Sequence, residues 1–62
     1  MDDYIFRKMN CKRIEVTMIN GDTYKGRLTK INGDNTIILE NKDRNYKVLI
    51  NGEFIQSIIQ IE

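Results

Sequence analysis

Three Asn-Gly pairs, Asn20-Gly21, Asn32-Gly33 and Asn51-Gly52, cut this chain into short apolar alternations. Both residue types tolerate positive φ, so Asn-Gly between such alternations is the strongest short-range hairpin signal. No proline interrupts the segments between them, which are rich in Ile, Val, Thr and Tyr. Those residues suit a pleated, half-buried surface. The pattern predicts strands over Arg13–Ile19, Thr23–Ile31, Thr36–Glu40, Tyr46–Ile50 and Glu53–Ile61, with a polar loop at Asn41–Asn45. Asp2 and Asp3 suit a helix N-terminus, and Tyr4, Ile5 and Met9 follow at helical spacing. A short helix is therefore expected within residues 1–12, ahead of a β domain over 13–62, the two forming a single domain.

The first hairpin can be read further. Ile14, Val16 and Met18 alternate with Arg13, Glu15 and Thr17, so one face of this strand is core. A loop of Asn20-Gly21 alone would set Val16 opposite Lys25 and Ile14 opposite Arg27, placing charge in that core. An odd loop, about Asn20–Asp22, sets Met18 opposite Tyr24, Val16 opposite Gly26 and Ile14 opposite Leu28. A one-residue slip flips every side chain, so the patterning selects the odd loop. It also puts Gly26 inside a strand on the concave face, where a missing side chain marks a bend or a close backbone approach. Five short strands with a bent second strand predict an all-β, strongly curved antiparallel barrel.

The last two strands are apolar on both faces. Val48, Leu49 and Ile50 are consecutive, as are Ile58 and Ile59, with Ile55 and Ile61 nearby. Strands of that kind are covered on both faces, and one short chain cannot supply the cover. A domain of this size hides only about 60% of its unfolded surface. Disulfides, a metal or oligomerisation usually make up the difference. A single cysteine, Cys11, rules out an internal disulfide, and with no histidine no zinc set can be assembled. Pairing with further copies through the last two strands is the expected remedy.

The remaining composition narrows the function classes. An unpaired Cys suits a reducing compartment, no secretory h-region opens the chain, and no apolar run reaches the length of a membrane span. A cytoplasmic protein that does not engage membranes is expected. Ten Lys plus Arg against nine Asp plus Glu give a net charge of +1, so nucleic-acid binding must be argued from positions. With no His, and no base beside Cys11, no nucleophile–base pair can form. The carboxylates are scattered and no phosphate-binding glycine loop precedes a helix. Enzyme activity, a small-molecule substrate, a metal and a cofactor are accordingly not expected.

Two runs of residues resemble the Sm/LSm family of ring-forming RNA-binding proteins, which includes bacterial Hfq. The first is Ile14-x-Val16-x-Met18 followed by Gly21, Gly26, Leu28, Ile31 and Ile37-x-Leu39. The second is Val48-Leu49-Ile50-Asn51-Gly52-x2-Ile55-x2-Ile58. Together they cover roughly Met9 to Ile61. The resemblance implies a short N-terminal helix and a five-stranded Sm-like (SH3-like) barrel. It also implies that the fourth strand of one subunit pairs with the fifth of the next, in a homo-oligomeric ring of about five to seven subunits.

The resemblance further implies single-stranded RNA binding at the pore, by Asn32, Asn35, Thr36, Asn51 and Gly52. The family usually carries Asp at the place of Asn32, a stacking side chain at Asn35, Asn at Thr36 and Arg at Asn51. This chain lacks the carboxylate and the guanidinium at those positions, and Asn35 offers an amide plane in place of the ~1–3 kcal/mol stacking platform. Asn32 and Asn51 each precede Gly and also read as turn residues. Arg7, Lys8, Lys12 and Arg13 form a candidate basic rim, or a solvated face. Lys42 and Arg44, beside Asp43, read as surface. Two alternatives stand beside an RNA-binding ring: an Sm-like ring serving as a structural or protein-interaction scaffold, and another small barrel of SH3-like or translation-associated type.

Overall fold

A computed structural model describes residues 3–62. The negative charge expected at the helix start rests partly on Asp2, which lies outside the described residues. Helix α1 (Asp3–Lys8) leads into β1 (Arg13–Met18), β2 (Thr23–Ile31), β3 (Thr36–Asn41) and β4 (Tyr46–Asn51). A 3-10 turn, Gly52–Phe54, then delivers β5 (Ile55–Gln60). The protein is mostly β: one short helix and a five-stranded antiparallel sheet of order β4-β3-β2-β1-β5.

Phe6, Ile14, Val16, Leu28, Ile37, Leu39 and Ile50 form the buried core, with Met9, Met18, Tyr24, Ile31, Val48, Ile55 and Ile58 packed around it. The helix contributes Phe6, and the half-buried Met9 follows in the turn just past its end. Tyr4 and Ile5, expected to share a face with Met9, are exposed. A six-residue helix covers too little surface for its neighbours to turn inward as well.

The first hairpin has the odd loop that patterning selects, but not the expected register. Ile14 lies opposite Gly26 and Val16 opposite Tyr24, two residues away from the expected pairing. Its closing contacts are Met18 N–H to Asp22 O at 2.7 Å and Gly21 N–H to Met18 O at 2.9 Å. Gly21 takes φ 94 inside the turn, and the Asn20 side chain accepts from Asp22 N–H at 3.0 Å. A shift of two residues keeps every side chain on its face, so burial alone cannot choose between the two registers.

Gly26 is a close approach between strands. A Cβ there would stand 2.7 Å from the backbone oxygen of Glu40 in β3. A second distortion in β2 was not anticipated. Its register against β3 shifts between Leu28 and Lys30, so Thr29 is an extra residue. A bulge bends and twists its strand, and this one lets both Leu28 and Ile31 face inward at a spacing of three.

The curl is large. Asn51 pairs with Thr36 at one edge of the sheet, and Ile55 pairs with Met18 at the other. Four strand spacings in a flat sheet amount to about 19 Å, whereas four extended residues reach about 14 Å. The edges must therefore bend toward one another. They do not close: β4 and β5 each have one strand neighbour, so the expected barrel is an open, curved sheet in the single chain. Asn51-Gly52 is correspondingly not a hairpin, and its Gly opens the 3-10 turn.

Two polar side chains extend the ladder where β3 ends. The Tyr46 hydroxyl donates to Lys25 O at 2.9 Å and accepts from Lys25 N–H at 3.3 Å. Asn41 Nδ2 also donates to Lys25 O, at 2.9 Å. These groups satisfy a stretch of β2 backbone that lies beyond the β3 ladder. The Tyr46 hydroxyl also accepts from Asn41 Nδ2 at 3.5 Å, so Tyr46→Phe removes three of the four bonds and should cost about 1 kcal/mol. For a domain of this size that lowers the melting temperature by about 4–8 °C. A thermal melt followed by circular dichroism checks it, and an unchanged midpoint would mean that water replaces the hydroxyl without loss.

Candidate nucleic-acid interface

The loop after β2 and the turn after β4 meet. Gly52 N–H donates to Asn35 O at 2.8 Å, and Thr36 pairs with Asn51 across the ladder. Asn32, Asn35, Thr36, Asn51 and Gly52, candidates from two separate stretches of sequence, thus share one end of the β3–β4 ribbon.

Within this cluster the side chains of Asn32, Thr36 and Asn51 are already hydrogen-bonded. Asn32 donates its backbone N–H to Thr36 O at 2.9 Å and its Nδ2 to the Thr36 hydroxyl at 3.0 Å. Thr36 Oγ1 in turn donates to Asp34 Oδ1 at 2.5 Å. Asn51 caps the 3-10 turn, its Oδ1 accepting from Glu53 N–H at 3.0 Å. Asn35 adopts φ 71, the left-handed conformation that Asn tolerates. In this loop Asn35, and not Gly33, takes the positive φ expected of the Asn-Gly signal. The turn roles considered for Asn32 and Asn51 are present, and Asn35 has one too.

Asp34 was missed by sequence reasoning. It supplies the loop with the carboxylate that Asn32 lacks, two positions further on. Its signal was an acidic residue directly before an Asn able to reverse the chain. A carboxylate here adds negative charge to the loop.

The basic residues lie elsewhere. Arg7 and Lys8 are exposed on α1, and Lys12 and Arg13 are exposed where the chain enters β1. Lys8 Nζ sits 4.7 Å from the Tyr4 ring centroid, and Arg13 lies 4.0 Å from Asp43. Neither partner neutralises its cation strongly, because such exposed pairs are worth at most about 1 kcal/mol. Among the described residues no hydrogen bond or ion pair joins this basic set to the amide cluster.

The edge strands β4 and β5 each have one side without a strand neighbour. The ladder alternates bonded and non-bonded pairs. Counted from Gly52 N–H to Asn35 O, the outward backbone groups of β4 belong to Lys47, Leu49 and Asn51. Counted from Ile61 N–H to Arg13 O at 2.9 Å, those of β5 belong to Ile58 and Gln60. Leu49 is 64% exposed and Ile59 54% exposed, one on each edge strand. Ile19 and Phe54 are exposed beside β4 and line a 420 Å³ cleft with Leu49 and Asn51. A larger cleft of 750 Å³ runs past Tyr24, Arg44, Tyr46 and Val48.

Comparison with protein-family models and with curated proteins returns no significant match. Among the described residues no helix is long and apolar enough to cross a membrane.

Proposed function

We propose that the chain is a non-enzymatic, Sm-like subunit that assembles into a homo-oligomeric ring and binds single-stranded RNA through its amide cluster. The observation that carries this reading is the bond from Gly52 N–H to Asn35 O. It unites the two stretches that resemble the family's binding loops. The resemblance of the two motifs and the strand order with two apolar, unmatched edges support the ring. In that assembly β4 of one subunit continues into β5 of the next, and the curved sheet is completed as a barrel by its neighbours.

RNA binding should be weak and steeply dependent on salt. The cluster lacks an aromatic platform and a guanidinium, so phosphate contacts from residues such as Arg7, Lys8, Lys12 and Arg13 must provide most of the affinity. Each such contact releases a counterion and adds about −0.7 to the log–log salt slope for single strands. Fluorescence anisotropy with uridine- and adenosine-rich oligomers across a salt series checks this. Asn32→Ala should weaken whatever binding exists, and Asn51→Arg should raise affinity for the uridine-rich oligomer. Tight, salt-insensitive binding by the natural chain would overturn the reading of a weakened site.

One observation favours the scaffold reading. The side chains of Asn32, Thr36 and Asn51 are each engaged within the cluster. A ring that binds no oligomer, even as Asn51→Arg, would favour that alternative.

A further inference from the structure

The three Asn-Gly pairs share one sequence but differ in chemical protection. Spontaneous deamidation of Asn-Gly begins when the glycine nitrogen loses its proton and attacks the Asn side-chain carbonyl carbon. That step needs a glycine N–H free of a partner and an Asn side chain free to swing over it. Gly21 N–H donates to Met18 O at 2.9 Å, and Gly52 N–H donates to Asn35 O at 2.8 Å. The side-chain oxygens of Asn20 and Asn51 are each held by the backbone N–H two residues on. Both pairs are locked twice.

Asn32-Gly33 lacks the lock on the glycine nitrogen, and its Asn side chain is held through Nδ2 alone, not through the oxygen. Among the described residues Gly33 N–H has no hydrogen-bond partner and the Asn32 side-chain oxygen accepts from none. Gly33 is exposed, and a Cβ built on it would meet nothing within 4 Å, so the space needed for attack is open. The one side-chain bond at Asn32 is on Nδ2, the nitrogen that departs.

We infer that Asn32 is the site at which this protein deamidates in its folded state. A base removes the Gly33 N–H proton and the nitrogen bonds to Asn32 Cγ. The Cγ–Nδ2 bond then breaks, and ammonia leaves with a proton from water. Water opens the resulting succinimide at either carbonyl, giving aspartate or isoaspartate. Either product replaces the donor to Thr36 with a carboxylate close to Asp34, adding one negative charge to this loop. The inference does not depend on whether the loop binds RNA.

The test is peptide mapping of the full chain after incubation in mildly alkaline buffer, folded and in urea. Trypsin places the three pairs in separate peptides, residues 14–25, 31–42 and 48–62. In the folded chain the 31–42 peptide should convert first, at least about fivefold faster than the others, the factor set by one hydrogen bond's net worth. In urea the three rates should converge. Gly33→Ala is sterically accommodated, so it should fold normally and suppress conversion at Asn32. Equal folded-state rates, or earlier conversion at Asn20 or Asn51, would overturn the assignment. So would a folded rate at Asn32 far below its rate in urea.

Discussion

Gly26→Val is expected to remove more than half of this domain's stability. The new Cβ would lie 2.7 Å from Glu40 O, 3.0 Å from Glu40 C and 3.3 Å from Asn41 N. All three are backbone atoms in the neighbouring strand, so no flexible side chain can move aside. Relief requires β2 and β3 to separate, and those strands carry Leu28, Ile37 and Leu39 of the core. Overpacking of this kind costs about 1–3 kcal/mol, and the branched methyls take it to the upper end or beyond. A domain this small starts near the lower limit of about 5 kcal/mol. Urea unfolding followed by circular dichroism measures the loss. A midpoint equal to that of the natural chain would mean that β2 and β3 are not in close contact at Gly26.

Ile59→Lys should turn an assembly into monomers while leaving the subunit's own core intact. Ile59 is 54% exposed and belongs to the outer face of β5, whereas Ile55 and Ile58 on the other face pack against the core. In one isolated chain the substitution therefore removes little. In the proposed ring the same position is covered by the next subunit, and a lysine there must be desolvated without a partner, typically at a cost of several kcal/mol. Light scattering should give a multiple of 7.3 kDa for the natural protein and about that mass for the variant. The variant's melting temperature should also fall and cease to depend on concentration, because assembly contributes to stability by mass action. A natural protein that already scatters as a monomer at micromolar concentration would end the ring proposal.

Much of the sheet was legible because alternation reports directly on faces. The bounds of β2, Thr23–Ile31, match the expectation, and the odd first loop follows from keeping Lys25 and Arg27 out of the core. What alternation cannot report is a displacement by two residues, and there the expected partner of Gly26 was wrong. The choice was made inside the turn, by Gly21 at φ 94 and the Asn20 side chain. The bulge at Thr29 had a signal in the spacing of three between Leu28 and Ile31. Phe6 had none, since a helix of six residues shows too little periodicity to tell one apolar position from the next. The end of β4 misled for a different reason. Asn51-Gly52 has the chemistry of a hairpin, yet the strand that follows belongs beside β1, a choice made by the whole sheet. Of the candidate site, both loops were legible but their junction was not. It rests on a backbone bond from Gly52 to Asn35 that no side-chain pattern encodes.

The strand order also dictates the sequence of folding. β1 through β4 lie beside their chain neighbours, so each ladder among them grows from a short loop. β5 instead returns to β1, pairing Ile55 with Met18 and Gln60 with Ile14, partners separated by more than half of the chain. Closing so long a loop forfeits entropy before any contact rewards it, which makes such pairings slow. During synthesis β1 must emerge first and then wait with one side unmatched until β5 has been made. In that interval the vacant side of β1 is open to the β5 of another copy. Subunits that meet early can therefore exchange their final strands, and the yield of correctly folded chain should fall as the rate of synthesis outpaces the docking of β5.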